Sequence, residues 1–369
     1  MPVNITASRL RNQRLTGARF TKPEDVVSWM GAVQAQDYPG ARWSVALRMR
    51  RPGEAAIESA FAAGTILRTH VMRPTWHFVS PPDIRWMLAL TGPRVGAAMA
   101  PYNRRLELDA ATFRRSRSAI ARALRGGVHL TRQELKEVLQ RAGVHAEHVQ
   151  RLAHIVMQAE LDAVICSGVP RGKQFTYALL DERVPPVRPL LREEALAELT
   201  RRYFISHGPA QVHDFAWWSG LTVGDARAGL AMVERSLLRD TVDGKTYWFS
   251  SSTRALAHPG TAFLLPLYDE YLIAYKDRSA ALDAARWRPV VSRNPFSAAV
   301  VVDGQVVGGW SRSLAKTTVT VTVILFAPIP ETHSTAIAAA VRSYGSFLDL
   351  EPKLSLTLPF HNRANASFL

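Results

Sequence analysis

Three times within residues 1–250, a helix start with a capping pattern is followed by a further helix and then by two short strands. No other feature confines the fold as much. A helix with one apolar stripe and a hairpin of short strands must each bury one side, and they do so against each other. The clearest copy spans residues 189–250. Helices are expected over 190–204 and 210–217. Thr222-Val-Gly-Asp225 then caps a helix reaching about residue 234. Strands over 237–242 and 246–249 flank Asp243-Gly244, a strong hairpin turn. Short helix, turn, second helix and hairpin is the winged-helix order, which places its second helix in the DNA major groove.

The other copies are less regular. In residues 1–108, Thr21-Lys-Pro-Glu24 reads as a capping box, and Val26, Val27, Trp29, Met30 and Val33 form an apolar helix face. Strands are expected over 66–69 and 75–79, and Ser80-Pro-Pro-Asp83 opens another helix. In residues 109–188, Thr131-Arg-Gln-Glu134 caps a short helix whose apolar side is Leu135, Val138 and Leu139. A longer helix is expected over 147–164, and Arg171-Gly-Lys173 marks a hairpin tip. Residues 251–369 are richer in strands, at 298–302, 305–310 and 317–326, with a helix over 335–344. The expected fold class is α+β, with three tandem winged-helix modules and a strand-rich C-terminal region. No low-complexity linker separates the units, so they should pack together.

Charge points to the partner. Forty-six Lys and Arg against 31 Asp and Glu give a formal charge of +15 over 369 residues. A basic chain with several helix-turn-helix candidates suits double-stranded DNA; a charge merely dispersed over the surface is the plainer reading. The single cysteine, Cys166, sits in an apolar run and reads as a buried thiol. It excludes an intrachain disulfide and a cysteine zinc cluster. His145 and His148 read as a surface pair, so no metal site is expected. Nucleotide-binding glycine loops, a zincin motif and a serine elbow are all missing, so no cofactor is expected. No apolar run reaches roughly 18 residues, and no signal peptide opens the chain. A cytoplasmic monomer, nucleoid-associated when on DNA, is the expectation.

The unusual segment is Ala32-Val-Gln-Ala-Gln-Asp-Tyr38. If it is extended, the amides of Gln34 and Gln36 share a side and can hold a water or polarised atom between them. Capping backbone groups or facing solvent is the other reading. Gly31-Ala-Val-Gln-Ala-Gln-Asp37 resembles the Gln-x-Gln signature of AlkZ-type DNA glycosylases in the winged-helix superfamily. Further segments follow in the family's order. They are Arg68-Thr-His-Val-Met-Arg-Pro-Thr-Trp-His77, Asp214-Phe-Ala-Trp-Trp-Ser-Gly220, Leu265-Pro-Leu-Tyr-Asp-Glu-Tyr-Leu272 and Asp303-Gly-Gln-Val-Val-Gly-Gly-Trp310. The related YcaQ branch carries Gln-x-Asp at the same place; this chain has Gln36 there.

The resemblance implies a monofunctional glycosylase with catalytic Gln34 and Gln36. It would release N7-alkylated purines and unhook bulky or azinomycin-like crosslinked adducts. It also implies a C-shaped arrangement of modules around the duplex. Asp37, Thr69, Arg73 and His77 are candidate supporting residues. Arg171, Lys173, Lys245, Arg312 and Lys316, at expected hairpin tips and loops, are candidate phosphate contacts. Asp269 and Glu270, if on a strand, would face opposite ways, and Trp217-Trp218 reads as core packing. A non-enzymatic winged-helix regulator and a protein-binding scaffold are the competing readings.

Overall fold

The structure is a computed structural model that describes residues 2–250, 260–283, 285 and 298–358. Residues 251–259, 284, 286–297 and 359–369 of the expected strand-rich region lie outside the described residues. Helix α1 (Ile5–Asn12) starts at Asn4, whose side chain accepts from Ala7 N. Helix α2 (Pro23–Met30) follows. The capping box expected at Thr21–Glu24 does not form; Lys22 is the N-cap and makes no side-chain bond. Pro23 supplies the start instead, since its fixed φ is already helical. Gly31, at φ 78°, ends the helix sharply. Val33, expected on the helix face, therefore opens strand β1 (Val33–Gln34).

Helices α3 (Tyr38–Leu47) and α4 (Glu54–Ala63) lead to strands β2 (Leu67–His70) and β3 (Trp76–Val79). These strands fall within about one residue of the expected spans, inside ordinary boundary error. The three strands form an antiparallel sheet in the order β1-β3-β2. Helix α5 (Pro81–Arg105) begins at Ser80, whose hydroxyl donates to Asp83 at 2.6 Å.

The next segment holds α6 (Ala110–Leu124), β4 (Leu130–Thr131), α7 (Arg132–Arg141), α8 (Val149–Leu161), β5 (Ile165–Ser167), β6 (Thr176–Leu179) and α9 (Leu180–Arg183). The Thr131–Glu134 capping box is complete, and the sheet order is β4-β6-β5. Helices α10 (Arg192–Ser206), α11 (Val212–Ser219) and α12 (Val223–Val233) come next, with the Thr222–Asp225 box in place. Strands β7 (Leu238–Val242) and β8 (Lys245–Phe249) turn at Asp243 and Gly244, whose φ values of 50° and 73° are those a tight hairpin needs.

The final segment contains β9 (Ala262–Leu265), α13 (Glu270–Ile273), β10 (Ala299–Val302), β11 (Gln305–Leu314), β12 (Thr318–Leu325), α14 (Glu331–Leu348) and β13 (Glu351–Thr357). Its sheet runs β13-β12-β11-β10-β9. Strands β12 and β13 are parallel, which α14 makes possible by crossing between them.

Segments far apart in sequence share the cores. Leu10, Trp43 and Phe61 are buried with Val300, Val321 and Tyr344 in one cluster, so the C-terminal sheet and α14 close over α1–α4. Trp43 Nε1 donates to Leu264 O at 2.7 Å across that seam. A second cluster joins Leu67 and Met87 to Tyr203, Phe215 and Trp218. A third holds Ile120, Leu135, Ile155 and Tyr177. No helix among the described residues is long and apolar enough to cross a membrane.

Candidate active site

The β1-β3-β2 sheet lines up three polar residues. Gln34 pairs with His77, and His77 pairs with Thr69. Residues opposite one another on antiparallel strands share a face, so the three form a row, and all are buried. His77 Nδ1 lies 2.9 Å from Thr75 O. A carbonyl only accepts, so the proton is on Nδ1 and Nε2 is bare. Burial, reinforced by the Arg73 charge, pushes the His77 pKa well below the usual imidazole range. His77 Nε2 and Thr69 Oγ1 are buried without a hydrogen-bond partner among the described residues. Such atoms mark places where a small polar molecule can be held.

Arg73 closes the row. Its Nη2 donates to Gln34 Oε1 at 3.0 Å. A guanidinium has no acceptor, so the amide oxygen faces it and the orientation of Gln34 is fixed. Burial lowers the Arg73 pKa, and the Glu270 carboxylate opposes that. The loop carrying Arg73 is braced by Gly220 at the end of α11, where a Cβ would lie 2.0 Å from Met72 O. Only glycine allows the helix end to sit so close.

Ala35 continues the extended path. Its N–H donates to Trp76 O at 2.7 Å, and its carbonyl accepts from Arg68 Nε at 3.0 Å. Gln34 is buried, whereas Gln36, past the end of β1 where the chain bends toward α3, is exposed, with Oε1 3.4 Å from Trp76 N. Asp37 is half-buried at the start of α3. Burial raises its pKa against the pull of Arg312 and Arg42.

The pair Asp269-Glu270 is not on a strand, which corrects the expectation of opposed carboxylates. Tyr268 takes φ 66°, and Asp269 caps α13 by accepting from Tyr271 N at 2.9 Å. Both carboxylates turn into the interior, at 1% and 0% exposure. Glu270 Oε1 accepts from Gln34 N at 2.8 Å, and its Oε2 accepts from Trp218 Nε1 at 3.0 Å. Glu270 thus fixes the backbone of the motif to α11. Asp269 binds Arg48 through two bonds, 2.9 and 3.0 Å long, and accepts from the Ser44 hydroxyl at 2.6 Å. Sequence reasoning missed both roles. The available signal was two adjacent acids after Leu-Pro-Leu-Tyr, where a turn was as natural as a strand.

The sequence profile of the AlkZ-like family, described as DNA glycosylase AlkZ-like, matches residues 27–347. The chain belongs to the AlkZ-like DNA glycosylase family. It is 27% identical over 322 residues to an interstrand DNA cross-link repair glycosylase of Streptomyces sahachiroi, covering 83% of this chain and 86% of that protein. The structure of the Streptomyces sahachiroi DNA glycosylase AlkZ superposes with a TM-score of 0.80 at 24% identity, covering 96% of this chain and 98% of that one. That likeness establishes the mixed α/β fold.

In this AlkZ-like chain the expected phosphate contacts differ in their availability. Arg171 is exposed but binds Glu134 at 2.8 Å and the His129 carbonyl at 2.7 Å. Lys245 pairs with Asp277 at 2.6 Å. Arg312, on β11, donates to the Tyr344 hydroxyl and lies near enough to Asp37 to stabilise its charge. Lys173 and Lys316 are exposed, with no ion-pair partner among the described residues, and Lys316 is at the turn between β11 and β12. A cleft of about 610 Å³ is lined by Arg68, Trp76, Arg132, Lys136, Lys173 and Phe175.

Trp218 is core, while Trp217 is 39% exposed and donates from Nε1 to Ile273 O. Cys166 is fully buried, and burial raises its thiol pKa to about 12, which leaves it protonated and inert. His145 and His148 precede α8 and are exposed.

Two buried imidazoles set an acid limit on stability. Burial lowers the pKa of both His77 and His207. An unfolded histidine titrates near 6.5, so below that pH the unfolded chain takes up protons that the folded chain refuses. Stability is present above pH 6.5 and is lost as pH falls toward the folded values, by up to about 1.4 kcal/mol per pH unit for each ring. Thermal melting between pH 7.5 and 5 should show this decline, and His77→Asn should flatten it. An unchanged slope in the variant would remove His77 from the cause.

Proposed function

We propose that this glycosylase hydrolyses the N-glycosidic bond of N7-alkylated purines in double-stranded DNA and unhooks bulky or azinomycin-like crosslinked adducts. The single observation that carries the reading is the neutral amide of Gln34, oriented by Arg73, with Gln36 at the surface two residues on. An N7-alkylpurine is already cationic, so its departure needs little acid catalysis. The remaining tasks are to support a sugar of oxocarbenium character and to place a water. Preorganised acceptors do the first without carrying a charge that must be desolvated. In our reading Gln36 meets the sugar. The water lies between the Gln34 carbonyl and the bare Nε2 of neutral His77, with Thr69 Oγ1 as a further partner. A neutral His77 also keeps a second positive charge away from the developing cation. No residue of the row is a strong base, which limits the enzyme to activated lesions.

The proposed architecture has three winged-helix units, residues 1–108, 109–188 and 189–250, and a strand-rich region, 251–369. They would form a C-shaped surface around the duplex, with Gln36 facing inward. Lys173, Lys316 and Arg312 are the proposed phosphate contacts, joined by Arg171 and Lys245 once their carboxylate partners exchange for DNA. The protein acts as a cytoplasmic monomer without a cofactor. It serves either self-protection against a genotoxin or general alkylation repair.

The test is single-turnover base release from a duplex containing N7-methylguanine and from one carrying an azinomycin-type crosslink. Released base from both, and none from undamaged DNA, is expected. Salt-sensitive DNA binding with no released base would overturn the catalytic reading in favour of a regulator.

A further inference from the structure

Beyond the glutamine pair, the cleft between the β1-β3-β2 sheet and the α7–α8 segment combines features that the reaction does not use. Arg68 reaches it from β2. That side chain is 8% exposed, its Nε is committed to Ala35 O, and its terminal nitrogens have no hydrogen-bond partner among the described residues. The guanidinium lies 4.3 Å from the Trp76 ring centroid and 4.7 Å from that of Phe175. Burial lowers its pKa, with Glu160 opposing. The terminal nitrogens are not among the buried unpaired atoms, so they open onto the cleft, where an acceptor can reach them.

The opposite wall is cationic. Arg132, Lys136 and Lys173 have no ion-pair partner among the described residues, whereas neighbouring Arg171 is paired with Glu134. Four cations face one lining carboxylate, Glu147. The volume, about 610 Å³, is that of a small-molecule site. The guanidinium covers the Trp76 and Phe175 faces, so the cleft offers an unstacked nucleotide the Arg68 donors and the ring edges for its base and free cations at the rim for its phosphates. The same charge argues against the lesion itself, because an N7-alkylpurine is a cation and would be repelled. Position ties the cleft to the motif, since Arg68 bonds the residue between the two glutamines and Trp76 N meets Gln36.

We infer that this cleft binds an unmodified, extrahelical nucleotide flanking the lesion, with Arg68 donating to the acceptor edge of its base and Arg132, Lys136 and Lys173 holding its phosphates. The inference rests on the proposed action on damaged duplex DNA. Its consequence is selection of distorted DNA, because a flanking base that is already unpaired spares the unstacking cost.

The experiment compares affinities for two duplexes, one fully paired and one with a single unpaired nucleotide beside the lesion. Both carry a 2′-fluoro N7-methylguanine nucleotide that resists hydrolysis. Wild type should bind the second at least about tenfold more tightly, equivalent to about 1.4 kcal/mol. Lys136→Glu with Lys173→Glu, both at the surface, should reduce the ratio to near unity while melting at the wild-type temperature. Arg68→Met should also reduce the ratio. A wild-type ratio of one overturns the inference. So does equal weakening toward both duplexes in the lysine variant, which makes the cleft a plain phosphate contact. Because binding is read without turnover, a preserved ratio alongside absent base release would defeat the catalytic reading and leave the nucleotide site standing.

Discussion

Single-turnover release of N7-methylguanine should fall by about 10²–10³-fold in Gln36→Ala, the range seen when one preorganised stabilising group is removed from a reacting centre. Gln36 is exposed, and its one hydrogen bond among the described residues is a long 3.4 Å contact with Trp76 N. Its loss should leave folding and DNA affinity near wild type, so the deficit belongs to the chemical step. Gln34→Ala should lose at least as much and also lower the melting temperature, because Arg73 then keeps a buried charge without its amide acceptor. The two losses should not add if both amides serve one transition state, as proposed. Activity within about threefold of wild type in Gln36→Ala would refute the assignment.

The second large effect is on stability. Arg48 and Asp269 are 1% and 0% exposed and joined by two hydrogen bonds. Asp269→Ala strands the guanidinium in the interior, at a cost of about 3–5 kcal/mol. Melting should drop by on the order of 10 °C. Replacing both partners by apolar residues, Arg48→Met with Asp269→Leu, should recover most of that loss, because no charge is left buried. If the double variant is as unstable as the single one, the damage comes from the α13 cap rather than the ion pair. Scanning calorimetry on wild type and the two variants separates these outcomes.

Local chemistry made much of the fold legible. Thr131–Glu134 and Thr222–Asp225 cap as their sequences indicate, Asp243-Gly244 makes the expected turn, and Asp303-Gly304 makes another between β10 and β11. Each of these signals is contained within a few residues. Thr21–Glu24 had the same pattern, but Pro23 begins the helix one residue later than a Thr21 cap requires. The glutamine pair was visible as a motif. Its environment was not, because the row of Gln34, His77 and Thr69 depends on β3 lying between β1 and β2, an order no local pattern encodes. Glu270 was hidden for a related reason. Alternation read on a strand sends neighbouring acids apart, whereas the left-handed Tyr268 and the single turn of α13 send both inward.

The bond between Glu270 and Gln34 N spans 236 positions. During synthesis the glutamines leave the ribosome long before the carboxylate that anchors their strand exists. A nascent chain therefore carries the glutamine motif unfastened for most of translation. Its fixed geometry arrives late, as a property of the nearly finished polypeptide, and fragments released early by a truncated message would hold the signature residues without the carboxylate that anchors them.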